Sequence, residues 1–88
     1  MSIHIRVTGK VQGVNYRSSA KEKADELGLN GFVRNDPDGA VSIEVAGDDM
    51  NLNTFVAWCK KGPPHAQVMT FVIEEHPEKG YVGFHILR

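Results

Sequence analysis

The chain has 88 residues, room for one hydrophobic core and not for two. It is 41% hydrophobic and 24% charged, a balance that suits a folded soluble domain and argues against disorder. Ten basic and eleven acidic residues leave a net charge of -1, so the usual electrostatic footprint of a nucleic-acid or anionic-membrane partner is missing.

Ile3, Ile5 and Val7 alternate with His4, Arg6 and Thr8, which predicts a half-buried first strand. Two glycines, Gly9 and Gly13, mark the following segment as a loop. From Tyr16 the period changes: Tyr16, Ala20, Ala24 and Leu27 fall on one helical stripe, with Asn15 placed to cap its start and Gly28 to end it. Leu29–Asn35 reads as a second strand. Asp36-Pro37-Asp38-Gly39 is strong turn chemistry, and Val41, Ile43 and Val45 then alternate as a third strand, making a hairpin with the second. Gly47-Asp48-Asp49 breaks the pattern and offers acidic caps for a second helix with Leu52, Phe55, Val56 and Cys59 on its apolar stripe. Lys60 and Lys61 suit its last turn, and Gly62-Pro63-Pro64 stops it. Gln67–Glu74 predicts a fourth strand whose phase slips between Val68 and Phe71, the mark of a bulge. Val82, Phe84 and Ile86 suggest a short fifth strand.

This order predicts one domain over residues 1–88 of α+β class. The expected architecture is a ferredoxin-like two-layer sandwich, βαββαβ with an extra short C-terminal strand. Both amphipathic helices would cover one face of a mainly antiparallel sheet. A β-α-β crossover runs its two strands in the same direction. The loop Gly9–Asn15, the helix start at Tyr16-Arg17 and Asn35 at the end of the second strand should therefore meet at one sheet edge.

That edge has the makings of an anion site. The first amides of a helix lack intrahelical acceptors, and the helix dipole favours negative charge there. Arg17 adds a planar, permanently charged fork suited to phosphate or carboxylate. A two-glycine loop before a helix is also an ordinary connection, and Asn35 before Asp-Pro-Asp-Gly is also ordinary turn chemistry. Val14-Asn15 after Gly13 excludes a nucleotide P-loop, which needs Lys and Ser or Thr at those places. His4, His65, His76 and His85 are scattered and form no zinc motif with the single cysteine. Cys59, Trp58 and Phe55 read as core or near-core residues, and Asp36 and Asp38 as turn formers. A lone cysteine makes no intramolecular disulfide, no run approaches the roughly 20 apolar residues of a membrane span, and the N-terminus has no apolar leader. A cytoplasmic location is the expectation.

The segment Gly9-Lys10-Val11-Gln12-Gly13-Val14-Asn15-Tyr16-Arg17 resembles the first acylphosphatase signature, G-x-V-Q-G-V-x-F-R. Gly31-Phe32-Val33-Arg34-Asn35-Asp36-Pro37-Asp38-Gly39-Ala40-Val41, continuing to Gly47, resembles the second. Gly62–Val68 and Gly83–Ile86 are also similar, so the resemblance covers essentially the whole chain. Tyr16 departs from it, phenylalanine being usual there, and raises the question of whether its hydroxyl enters the pocket. The resemblance implies a metal-independent hydrolase without cofactors that splits the carboxyl-phosphate bond of acyl phosphates. It implies that Arg17 binds the phosphoryl group together with the backbone amides of Gln12, Gly13, Val14, Asn15, Tyr16 and Arg17, and that Asn35 positions the attacking water. The expected partners are an acyl phosphate and the phosphate product, with no nucleic acid, no membrane and a monomeric chain.

Three other readings compete. A domain tuned to carbamoyl phosphate shares the chemistry. A ferredoxin-like RNA-binding module would need aromatic-rich motifs that Ile3–Thr8 and Ala40–Ala46 lack. A non-catalytic phosphate sensor would have no use for both Arg17 and Asn35.

Overall fold

The computed structural model describes residues 1–75, 77 and 80–87. Strand β1 spans Ser2–Lys10, helix α1 Tyr16–Glu26, β2 Asn30–Asn35, β3 Val41–Ala46, α2 Asp49–Lys61, β4 Gln67–Glu75 and β5 Phe84–Leu87. The sheet order is β4-β1-β3-β2-β5, antiparallel except for the β2–β5 pair. This is the ferredoxin-like sandwich expected from the periodicities.

Alternation decides which strand residues enter the core. Ile3, Ile5 and Val7 of β1 lie opposite Val45, Ile43 and Val41 of β3, and all six are buried with Tyr16, Ala20 and Ala24 of α1 and Leu52, Phe55 and Cys59 of α2. The opposite face carries the polar set. There Arg6 and Arg34 pair with Asp36, Arg6 also holds Asp38, and Tyr81 donates to Glu44. Phe55 is fully buried and stands edge-on to Phe84, joining the second helix to the last strand. Truncating a phenyl ring so placed costs about 3–5 kcal/mol.

Local chemistry sets the helix ends. Asp48 caps α2, its Oδ1 accepting the Asn51 amide at 2.9 Å. Helix α1 closes on Gly28, whose N–H bonds the Asp25 carbonyl at 3.1 Å while the Leu29 amide reaches the Ala24 carbonyl at 2.9 Å, the double closure of a Schellman turn. Asn15 occupies the start of α1 but does not cap it with its side chain. It adopts a left-handed conformation at φ 64° instead.

Other boundaries move for tertiary reasons. Strand β1 runs past Thr8 to Lys10 because β4 supplies a ladder partner there. Thr8 pairs with Thr70 but Gly9 with Val68, so Met69 is the extra residue of a bulge at the expected phase slip. Gly9 permits this close approach, since a Cβ at that position would sit 2.3 Å from the Gln67 carbonyl oxygen. Leu29 precedes β2 but is buried. Val82 precedes β5 and is 85% exposed, so only Phe84 and Ile86 of that expected strand lie in it.

Candidate active site

Both β1 and β2 run antiparallel to β3, which lies between them, so their C-terminal ends emerge at one edge. Strand β5 runs parallel to β2 and ends there too, with Leu87 beside Arg34. The β1–α1 loop and the start of α1 occupy this edge. Gly13 has φ 74° and Asn15 φ 64°, so two left-handed residues bend the loop within three positions. Left-handed positions in such a loop turn successive amides toward one side, the geometry of anion-binding nests. Gly13 takes this conformation without the steric penalty that a side chain would bring, and asparagine is among the residues that tolerate it.

The first helical hydrogen bond of α1 runs from the Ser19 amide to the Asn15 carbonyl at 3.0 Å. The amides of Tyr16, Arg17 and Ser18 therefore have no intrahelical acceptor. A cavity of about 200 Å³ opens against this helix start. The loop contributes Val11, Gly13 and Asn15 to its wall, the helix Tyr16, Arg17 and Ser18, and β2 contributes Asn35. A second cavity of about 510 Å³ shares Arg17, Ser18 and Asn35, and is bounded on its other side by Ile86 of β5.

Arg17 is half-buried, and its Nη1 donates a long 3.4 Å bond to the Leu87 carbonyl. Among the described residues no carboxylate lies within ion-pair distance of it, whereas Arg6 and Arg34 are both occupied by acids. Among the described residues the buried Oδ1 of Asn35 has no hydrogen-bond partner. A buried acceptor left unpaired costs about 1–3 kcal/mol, and in native proteins such an atom commonly marks a site that something else occupies.

Gln12 and Val14 do not border the cavity. The Gln12 Nε2 donates to the Asp36 and Ala40 carbonyl oxygens, each at 2.9 Å, and Val14 packs against the core. The Tyr16 hydroxyl also points away, donating to the Cys59 carbonyl at 2.7 Å in the interior. Burial, with the Cys59 thiol beside it, pushes the Tyr16 pKa well above its ordinary value. Burial likewise pushes the Cys59 thiol up, which leaves a protonated packed side chain rather than a nucleophile.

Asp36 and Asp38 serve the β2–β3 turn. Asp36 takes Ser42, Arg34 and Arg6. Asp38 accepts the Ala40 amide, which with Arg6 lowers its pKa. Among the described residues no three His, Cys, Asp or Glu side chains group to hold a metal ion, and His76 lies outside those residues. The expectation from sequence missed Ser18, Val11 and Ile86. Ser18 had a signal, since as the third helical residue its amide is an orphan by geometry. Val11 also had one, since it lies in the Gly9–Asn15 loop expected at this edge, whereas Ile86 had none.

The acylphosphatase family profile matches residues 3–86. The chain belongs to the acylphosphatase family. An acylphosphatase of Methylococcus capsulatus is 46% identical over 87 residues, spanning 98% of this chain and 95% of that one. Among solved structures, acylphosphatase from Bacillus subtilis superposes with a TM-score of 0.95 at 33% identity, covering 99% of this chain and 98% of its own. An acylphosphatase from Coxiella burnetii gives 0.94 at 37% identity, covering 98% and 90%. The chain is a hydrolase with acylphosphatase activity, and its substrate is a small-molecule acyl phosphate.

Proposed function

We propose that Arg17 and the amides of the Gln12–Arg17 segment hold the phosphoryl group of the acyl phosphate, that Asn35 orients the attacking water, and that the reaction needs no metal ion. The observation that carries this reading is the shared cavity. Arg17 from the helix start and Asn35 from the end of β2 border one space of about 200 Å³, against a helix N-terminus whose first three amides have no intrahelical acceptor. Gly13, Asn15, Tyr16 and Arg17 are the members of the segment that border it. Together they make a phosphate-binding loop. The larger cavity beside Ile86 offers room for the acyl group.

The chemistry fits these few groups. Water oxygen bonds to phosphorus as the bond from phosphorus to the carboxyl oxygen breaks, and the electron pair leaves on the carboxylate. A carboxylate with a reference pKa of about 4 departs without a general acid. Negative charge in a loose phosphoryl-transfer state lies on the phosphoryl oxygens, where a guanidinium and fixed amides stabilise it. Asn35 can accept and donate, so it can align water without being a base. The water proton passes to a phosphoryl oxygen.

The same reading takes residues 1–88 as one cytoplasmic domain, a monomer without nucleic-acid or membrane partners. It draws on the single buried core and the net charge of -1. Among the described residues no helix is long and apolar enough to cross a membrane. The test is phosphate release from benzoyl phosphate with and without EDTA, beside a phosphate monoester. Equal rates with EDTA and a poor monoester rate are expected, because an alkoxide needs acid assistance absent here. Activity that appears only with added Mg²⁺ or Zn²⁺ overturns it.

A further inference from the structure

We infer that the side chain of Gln12 is a positioning residue that fixes Asn35 relative to the phosphate loop and never touches the substrate itself. Both hydrogens of its carboxamide nitrogen are spent on two main-chain carbonyls, those of Asp36 and Ala40, at 2.9 Å each. Those carbonyls are not arbitrary. Asn35 pairs across the hairpin with Val41, and Asp36 and Ala40 are the residues next to each member of that pair on the turn side. The Asp36 amide bonds the Ala40 carbonyl at 2.8 Å and the Gly39 amide the Asp36 carbonyl at 3.1 Å, so the turn is already a closed unit. Asp36 is further tied to Ser42, Arg34 and Arg6. Gln12 therefore joins the loop to a rigid body whose first residue is Asn35. The loop carries Gly13 and Asn15 on one wall of the cavity, and Asn35 stands on another. Without the clip, the two walls are held only through the rest of the fold.

The consequence is kinetic. A reacting group displaced by about 1 Å can lose on the order of 10²-fold in rate. The anion meets the loop's main-chain amides and Arg17, whereas the bonds of the Gln12 side chain go to the Asp36 and Ala40 carbonyls. Removing its donors should lower kcat far more than it weakens phosphate binding.

This proposal rests on the role given to Asn35 above, and the experiment separates the two. Gln12→Met keeps the length of the side chain and removes both donors. Both carbonyls retain one main-chain bond, so the variant should fold, as circular dichroism checks. Its kcat should fall about 10- to 100-fold, while the dissociation constant for inorganic phosphate stays within about threefold of wild type. Gln12→Lys restores N–H donors at similar reach and should recover most of the loss. In an Asn35→Ala background Gln12→Met should cost little more, because its effect passes through a group already gone, whereas independent losses would multiply to within about twofold. Wild-type kcat in Gln12→Met, a Gln12→Lys variant as slow as Gln12→Met, multiplying losses, or phosphate affinity lost as badly as in Arg17→Ala each overturn the proposal. Wild-type turnover in Asn35→Ala instead overturns the role of Asn35, and the positioning role falls with it.

Discussion

The hydroxyl of Tyr16 gives the sharpest prediction, because its partner has no alternative. The Cys59 carbonyl lies in the last turn of α2, where the helical donor would come from four residues on. That residue is Pro63, which has no N–H. One position earlier the pattern is intact, since the Gly62 amide bonds the Trp58 carbonyl at 2.7 Å. The Tyr16 hydroxyl reaches across from α1 and fills the vacancy at 2.7 Å, in a buried site. Tyr16→Phe removes one oxygen atom and leaves the ring against Trp58, at 5.5 Å between centroids. The expected cost is that of an orphaned buried carbonyl, about 1–3 kcal/mol. For a domain this size each kcal/mol lowers Tm by roughly 4–8 °C. Thermal melting followed by circular dichroism should show a drop of at least about 4 °C, and urea unfolding a lower midpoint at unchanged slope. Hydrolysis of benzoyl phosphate by the folded variant should match wild type, because the hydroxyl faces the interior. An unchanged Tm refutes the capping role. A fall in kcat without a fall in Tm would put the hydroxyl in the cavity after all.

Four further outcomes follow from the structure. Arg17→Ala should lose both phosphate affinity and turnover and Arg17→Lys recover little. Asn35→Ala should lose on the order of 10²–10³ in kcat while still binding phosphate, a division that steady-state kinetics with phosphate inhibition would show. Inorganic phosphate should raise Tm against a chloride control of equal ionic strength, since a ligand of the folded state stabilises it by mass action; no shift would mean that the loop does not hold the anion. In alkali the folded chain keeps the Cys59 and Tyr16 protons that the unfolded chain gives up near their ordinary values of 9.0 and 10.0. The unfolded state then binds fewer protons, so stability should be complete below about pH 9 and decline as pH rises above it, less steeply in Cys59→Ala. A flat stability profile from pH 8 to about 11 would contradict this.

Much of this molecule was legible in the chain because its local rules are strong. Alternation placed Ile3, Ile5 and Val7 in the core. The helical stripe did the same for Tyr16, Ala20 and Ala24, and Asp48 capped α2 as its residue type suggested. Strand direction alone brought Arg17 and Asn35 to one edge. Each depends on neighbours a few residues away, or on a handedness rule common to all β-α-β units. The destinations of individual polar side chains lay outside that reach. Gln12 belonged by position to the loop before α1, but its carboxamide crosses to the β2–β3 turn. Tyr16 sat beside Arg17 in sequence, yet its hydroxyl answers to a carbonyl 43 residues on, left bare by a proline. Ile86 joined the site only because β5 runs parallel to β2. Sequence patterning determined which residues form the sheet, the helices and the edge that carries the candidate site, since backbone preference and apolar periodicity are local. Tertiary structure decided which donor meets which acceptor, since each buried polar group must find a partner wherever the folded chain brings one.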